Sequence, residues 1–265
     1  MQPTIQLGDW TAYSYGLFVL LGWLVGGVVY YREVKRRRWP LDTLLLAAVG
    51  CVLGAVVGGY LFGVLFFDWP EIFARVTGLR LAGNSVVGGL AGGFVGVEVA
   101  KKLSGYRVST GEAFALAIPV GHGLGRIGCY LGGCCFGVPT TLPWGVTFPV
   151  GSPVHAAHVA AGRVAASELP LPVHPTQLYE LTFDVLLFVV LFALRDRLRT
   201  RGSLFRLYLV AYGTFRLLLE WLRGDSPFPA AGGLKPIQLV LLAGVLYFSW
   251  VLWKQEGPRA RADAA

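Results

Sequence analysis

The sequence predicts an all-α polytopic membrane protein. It reads as one membrane domain, 1–265, of seven transmembrane helices with a small extracytoplasmic head containing short β-strands. Three observations lead there. The chain is 55% apolar and 14% charged, where soluble domains carry about 25% charged residues. Its apolar residues gather into runs near the ~20 residues that a helix needs to cross a bilayer. Its lysines and arginines concentrate in alternate loops, as they do on the cytoplasmic side of membrane proteins.

The seven runs are 13–31, 41–67, 85–100, 112–130, 177–194, 204–222 and 236–253. Before the first, residues 1–10 carry Asp9 and no Lys or Arg, the wrong charge for the start of a cleaved signal peptide. The second run is long enough to tilt or to bend at a glycine. The third is short and glycine-rich. The fourth holds His122 and Arg126, the fifth opens at Pro175, and the sixth holds Arg216 and Glu220. The seventh is apolar as far as Trp253. Glycine makes up 36 of 265 residues, about twice the usual share. Pairs four apart recur (Gly22/Gly26, Gly54/Gly58, Gly88/Gly92, Gly121/Gly125), a spacing that lets membrane helices approach closely.

Loops 32–38, 101–107, 195–201 and 254–261 hold 15 lysines and arginines, and the opposite loops hold 5. This places the N-terminus outside the cytoplasm and the C-terminus inside it. The net charge of +8 is therefore a topology signal. No basic patch interleaved with aromatics points to nucleic acid as a partner. Two outer loops, 68–84 and 131–176, would form the head. Within the second, 144–148 (Trp-Gly-Val-Thr-Phe) alternates as a short strand does.

The chemistry lies in charges inside the apolar runs. A charge at the bilayer centre costs at least about 3 kcal/mol, so it faces a partner, a polar ligand or water. Tyr212, Arg216, Glu220 and Arg223 share one helical face. His122, Arg126 and Cys129 share another, within the glycine-rich run 121–137. Two buried arginines suit an anionic head group, most simply a phosphate. The structural alternative pairs Arg126 with Glu220, or Glu220 with Arg216, as internal glue. Against it, Arg126 and Arg223 together leave positive charge unbalanced. The run His174-Pro175-Thr176-Gln177-Leu178-Tyr179-Glu180 opens a helix, with Pro175 at its start and Thr176 and Gln177 offering capping groups. Gln177, Glu180 and Asp184 fall on one face, where the carboxylates could simply balance arginines. Tyr15 alone reads as an aromatic-belt residue.

Cys51 reads as a small packing residue. Cys129, Cys134 and Cys135 leave several readings open: small buried thiols, a disulfide from Cys129 to Cys134 or Cys135, a metal site with His122, or a reactive thiol. No C-x-x-C pair selects the metal reading, and neither a metal nor a cofactor is expected.

Three motifs together resemble the prolipoprotein diacylglyceryl transferase family. They are Gly125-Arg126-Ile127-Gly128 closing at Gly137, the run His174 to Glu180, and Tyr212-Gly213-x-Phe215-Arg216-x3-Glu220-x2-Arg223. Tyr15-Gly16-Leu17 and Gly88-Gly89-Leu90 match the family's first-helix and third-helix motifs. The resemblance implies an enzyme of the bacterial cytoplasmic (inner) membrane that moves diacylglycerol from phosphatidylglycerol to the lipobox cysteine of a prolipoprotein. It implies that Arg126 and Arg216 hold the lipid phosphate, Glu220 orients Arg216, Arg223 guards the outer mouth and Tyr15 contacts the head group. Gly128, Gly137, His174, Gln177, Tyr179 and Glu180 carry over as substrate-binding positions. The family's third-helix histidine is Val87 here, its Asn after Gly-Arg-x-Gly is Cys129, and its next Asn and Glu are Gly132 and Cys134. His122 then becomes the candidate general base. The acceptor is a lipobox prolipoprotein or another thiol; alternatives are a related phospholipid-dependent transferase with a different acceptor that uses Cys129, Cys134 and Cys135, or a non-catalytic lipid-binding, redox or metal-handling membrane protein.

Overall fold

The computed structural model describes residues 4–7, 10–67, 86–107, 109–224 and 235–257. Strands β1 (Thr4–Leu7) and β2 (Trp10–Tyr13) pair antiparallel, with Thr4 opposite Tyr13. Helices follow: α1 (Ser14–Arg36), α2 (Leu41–Phe67), α3 (Val86–Leu103), α4 (Gly111–Gly132), α5 (Pro153–Ala160), α6 (Thr176–Leu194), α7 (Ser203–Leu219) and α8 (Pro236–Glu256). A single 3-10 turn, Glu220–Leu222, extends α7.

A long helix overlaps each of the seven apolar runs. Four of them, α1, α2, α6 and α8, contain a stretch long and apolar enough to cross a membrane. Helices α3, α4 and α7 do not meet that measure. Helix α7 is short, at 17 residues, and α4 is interrupted by Glu112, His122 and Arg126. On the four apolar helices many aliphatic side chains point outward, among them Leu20, Leu24, Leu53, Leu186 and Leu246, as suits contact with lipid.

The chain divides into two compact units, 32–109 and the remainder. In the first, α2 and α3 pack through glycines. A Cβ at Gly50 would lie 2.5 Å from the Gly96 carbonyl oxygen, and one at Gly54 or Gly58 would strike the backbone of Gly92 or Gly88. In the second, α4, α6 and α7 pack together, and α8 lies along α7. Gly22 and Gly26 let α1 approach α4 at Gly121 and Ala117.

The segment after α4 builds its own small core from Phe136, Phe148, Val154 and Val173, with Tyr130 and Val146 packed on it. The expected strand at 144–148 is not formed. Among the described head residues only isolated bridges occur, Val146 to Val173 and Pro139 to Val173, with Gly137 to Arg223 beside them. Gly145 turns back on Leu142 through its N–H, so the alternation is too short to extend a ladder. The expected outer loop 68–84 lies outside the described residues.

Candidate active site

Helices α4, α6 and α7 bring their polar residues together in one buried seam. Glu180, fully buried on α6, lies between the two arginines. Arg126 Nε is 2.6 Å from Glu180 Oε2, and Arg216 Nε is 3.8 Å from Oε1. Arg216 Nη1 also donates to Glu220 Oε2 at 2.5 Å. Lys235 Nζ donates to Glu220 Oε1 at 3.3 Å and to its carbonyl oxygen at 3.0 Å. The alternative pairing of Arg126 with Glu220 is replaced by Glu180. The pairing of Glu220 with Arg216 is present.

One turn before Arg126, His122 Nδ1 lies 2.7 Å from Asp184 Oδ2. Arg126 Nε donates to His122 Nε2 at 3.2 Å. A guanidinium only donates, so Nε2 accepts and the imidazole proton sits on Nδ1, facing Asp184. Tyr212 meets the His122 ring edge-on at 5.3 Å and stacks on Tyr208. Gly123 faces α6 here, with its Cβ position 3.3 Å from Leu181 Cδ1 and 3.5 Å from the Asp184 Cβ.

Above the arginines, α4 ends at Gly132 and Gly133 adopts a left-handed cap (φ 70°). The chain then turns back, with Cys135 itself left-handed (φ 61°), a conformation costing a non-glycine residue roughly 1–3 kcal/mol. The three sulfurs of Cys129, Cys134 and Cys135 lie within 4.8 Å of one another. None of the four cysteines is in a disulfide. Arg126 Nη1 is 3.9 Å from Cys129 Sγ. The neighbouring Cys129 and Cys134 thiols, with Arg223 and Arg126 nearby, hold the Cys135 thiol well below its usual range, while the closeness of Cys129 and Cys135 pushes Cys134 up. His122 stands outside this cluster, in the contacts with Arg126 and Asp184.

The opening of α6 holds that turn in place. Gln177 Nε2 donates to the Cys134 carbonyl and Thr176 Oγ1 to the Cys135 carbonyl, both at 2.6 Å. Neither side chain caps its own helix, since Pro175 is the N-cap and makes no side-chain bond. The expected capping role is therefore corrected: the two groups reach across to another segment whose carbonyls need donors. Trp144 Nε1 donates to the Tyr179 hydroxyl at 2.8 Å, and that hydroxyl lies 3.1 Å from His174 Nδ1. Gly137 is pressed between His174 and Leu222, where a Cβ would lie 2.5 Å from the His174 Cβ. Arg223 bridges to Gly137 through the backbone. Gly128 admits the first turn of α1; a Cβ there would lie 3.1 Å from Tyr15 Cα. Tyr15 stands within electrostatic reach of Arg126 and the three thiols. Two groups of this seam, Asp184 and Lys235, carried little weight in the sequence. Asp184 was legible as an intramembrane carboxylate one turn after Glu180, whereas Lys235 reads only as a loop charge.

Fold and site together define a helical membrane protein with a buried arginine–carboxylate centre. The chain belongs to the prolipoprotein diacylglyceryl transferase family, whose sequence model matches residues 2–254. A phosphatidylglycerol–prolipoprotein diacylglyceryl transferase of Clostridium tetani is 33% identical over 236 residues, spanning 85% of this chain and 86% of the relative. Proteins of the same name from Coxiella burnetii (32% identical over 258 residues, 94% and 92%) and Nitratidesulfovibrio vulgaris (31% over 261 residues, 94% and 92%) match almost end to end.

Proposed function

We propose that this chain transfers the diacylglyceryl group of phosphatidylglycerol to the cysteine thiol of a prolipoprotein at the outer face of the bacterial inner membrane. The observation that carries this reading is the convergence of Arg126 and Arg216 on Glu180. Each guanidinium has five N–H donors and keeps its charge at any working pH. Two of them held side by side suit a phosphodiester. In the reaction the acceptor thiolate attacks the glyceryl carbon. The carbon–oxygen bond to phosphate breaks, and its electron pair leaves on the phosphate oxygen as glycerol phosphate. The arginines neutralise the charge gathering there, which is electrostatic stabilisation by groups already in position.

The other site residues follow from their contacts. Glu180 and Glu220 orient the guanidiniums, with Lys235 fixing Glu220. His122, held by Asp184, positions Arg126; to act as a base it must first release the Arg126 Nε–H from its Nε2. Tyr15 contacts the head group and Arg223 lines the outer mouth. Gln177, with Thr176, holds the cysteine turn, and His174 and Tyr179 anchor the head beside it. Gly128 and Gly137 permit the close approaches. The overlap of seven long helices with the seven apolar runs supports seven spans. The 15-to-5 charge bias supports an N-terminus outside and a C-terminus in the cytoplasm.

The test is transfer of labelled diacylglycerol from phosphatidylglycerol to a lipobox peptide by the purified protein in lipid. Transfer should appear on the peptide cysteine and fall by about 10²–10³-fold on loss of one stabilising donor, in Arg126→Ala and in Arg216→Ala. Transfer that survives both substitutions would overturn the reading.

A further inference from the structure

The cluster of Cys129, Cys134 and Cys135 is unused in the reaction just described, and it lies against the phosphate-binding arginine. Its sulfurs fall within 4.8 Å of one another, and Cys129 Sγ is 3.9 Å from Arg126 Nη1. The turn that carries two of them is clamped by Thr176 and Gln177, so the convergence is built rather than incidental. On the proposed transferase reading, on which this rests, we infer that the three cysteines bind one thiophilic divalent cation, Zn2+, with its fourth position open to the acceptor thiol.

The geometry fits such an ion. Zinc–thiolate bonds of about 2.3 Å in a tetrahedron require sulfurs about 3.8 Å apart, within reach of these three by small side-chain rotations. A donor set of thiolates alone selects zinc-like or softer ions over magnesium or calcium. Three protein ligands with an open fourth position is the pattern of reactive zinc sites, where structural sites close all four.

The chemistry fits the reaction. A thiol that coordinates the ion loses its proton to solvent. The metal-bound thiolate then attacks the glyceryl carbon, a carbon–sulfur bond forms, and the carbon–oxygen bond breaks toward the phosphate at Arg126 and Arg216. The thioether product is uncharged and a weaker ligand, so it leaves and the next thiol takes its place. Ionisation of the acceptor is the step for which His122 is poorly placed, because its Nε2 already accepts from Arg126.

The test uses the full chain in phospholipid nanodiscs, reduced and stripped of metal, titrated with Cd2+ as a spectroscopic stand-in and with Zn2+ against a chromophoric chelator. One ion per chain is expected, with a sulfur-to-cadmium charge-transfer band. Each of Cys129→Ser, Cys134→Ser and Cys135→Ser should weaken binding at least tenfold. A lipobox peptide should intensify the band, and its Cys→Ser analogue should not. Failure of the reduced protein, with its thiols counted, to take up either ion would overturn the site. Cysteines recovered as a disulfide, with no metal uptake after reduction, would do the same. Full transfer by metal-free protein would remove the ion from the reaction while leaving the transferase reading intact. Metal uptake with a peptide-dependent band but no transfer would support the site and overturn that reading instead.

Discussion

Two helix contacts in this molecule solve the same problem in opposite ways. Helices α2 and α3 meet glycine to glycine, Gly50, Gly54 and Gly58 against Gly96, Gly92 and Gly88. Helices α4, α6 and α7 meet through Arg126, Glu180, Asp184 and Arg216, all but Arg216 with under 5% of their surface exposed. Between membrane helices burial brings little hydrophobic gain, so association rests on close packing and on polar contacts. The glycine contact obtains packing without any charge to desolvate. The polar seam takes on that desolvation, and a buried ion pair is seldom a net stabiliser against apolar residues of similar volume. A fold that can join helices through glycine has no structural need for arginine at that depth. The seam is therefore where function is to be sought.

The largest expected effect falls on the seam. Arg126→Ala should cut transfer by about 10²–10³-fold and also destabilise the protein by about 3–5 kcal/mol, because Glu180 is left buried beside one fewer cation. Adding Glu180→Ala should restore much of the stability, read from thermal unfolding in detergent, without restoring transfer. A double variant that regains activity would show that the arginine is structural and would erase the contrast.

The glycine contact should behave in the reverse manner. Gly92→Leu drives a side chain into the backbone of Gly54 and Gly58. Overpacking of this kind costs about 1–3 kcal/mol, occasionally more. The unfolding midpoint should drop, while transfer per folded molecule stays within about twofold of the parent, a margin set well below the effect of losing a stabilising donor. Transfer lost in step with a chemical defect, at temperatures where the protein is folded, would mean that α2 and α3 shape the site.

An intermediate effect is expected within the seam. Asp184→Ala removes the partner that faces His122 Nδ1, freeing the ring to turn and Arg126 to shift. Misplacement of a positioning group by about 1 Å costs up to about 10²-fold in rate. The loss should lie in kcat, with phosphatidylglycerol binding retained. A change confined to KM would assign Asp184 to binding.

The seam also shows what a sequence can disclose. Helix positions were legible because lipid forces long apolar runs. Arg126, Arg216 and Glu220 were legible because a charge in such a run is costly. The sharing of Glu180 by both arginines was not, since it depends on how three helices rotate against each other. Thr176 and Gln177 have the chemistry of caps, and only the fold shows that the carbonyls of Cys134 and Cys135 compete for them. The cysteines lack metal-type spacing along the chain; the left-handed turn at Gly133 and Cys135 brings them together. The alternation at 144–148 misled, because a strand needs a partner of matching length, and Val173 offers a single bridging position.

The smallest effect separates the head from both membrane contacts. His158 is buried, with its ring edge toward Phe136 and its Nδ1 accepting from the Leu171 N–H at 3.2 Å. Its proton is therefore on Nε2, and a second proton would meet the Leu171 N–H. Burial, with Arg163 and His155 nearby, lowers its pKa from the ordinary 6.5. The folded head thus binds a proton less readily than the unfolded chain. The stability from neutral His158 is complete above pH 6.5 and is lost as pH falls from there toward the lower folded value. The slope from one such group cannot exceed about 1.4 kcal/mol per pH unit. Thermal unfolding followed from pH 7.5 to pH 5 should show the midpoint falling on the acid side. His158→Asn, whose side-chain oxygen can still accept from Leu171, should flatten that part of the curve and leave the glycine contact and the seam untouched. An unchanged acid slope in the variant would move the pH sensitivity out of the head and into the carboxylates of the seam.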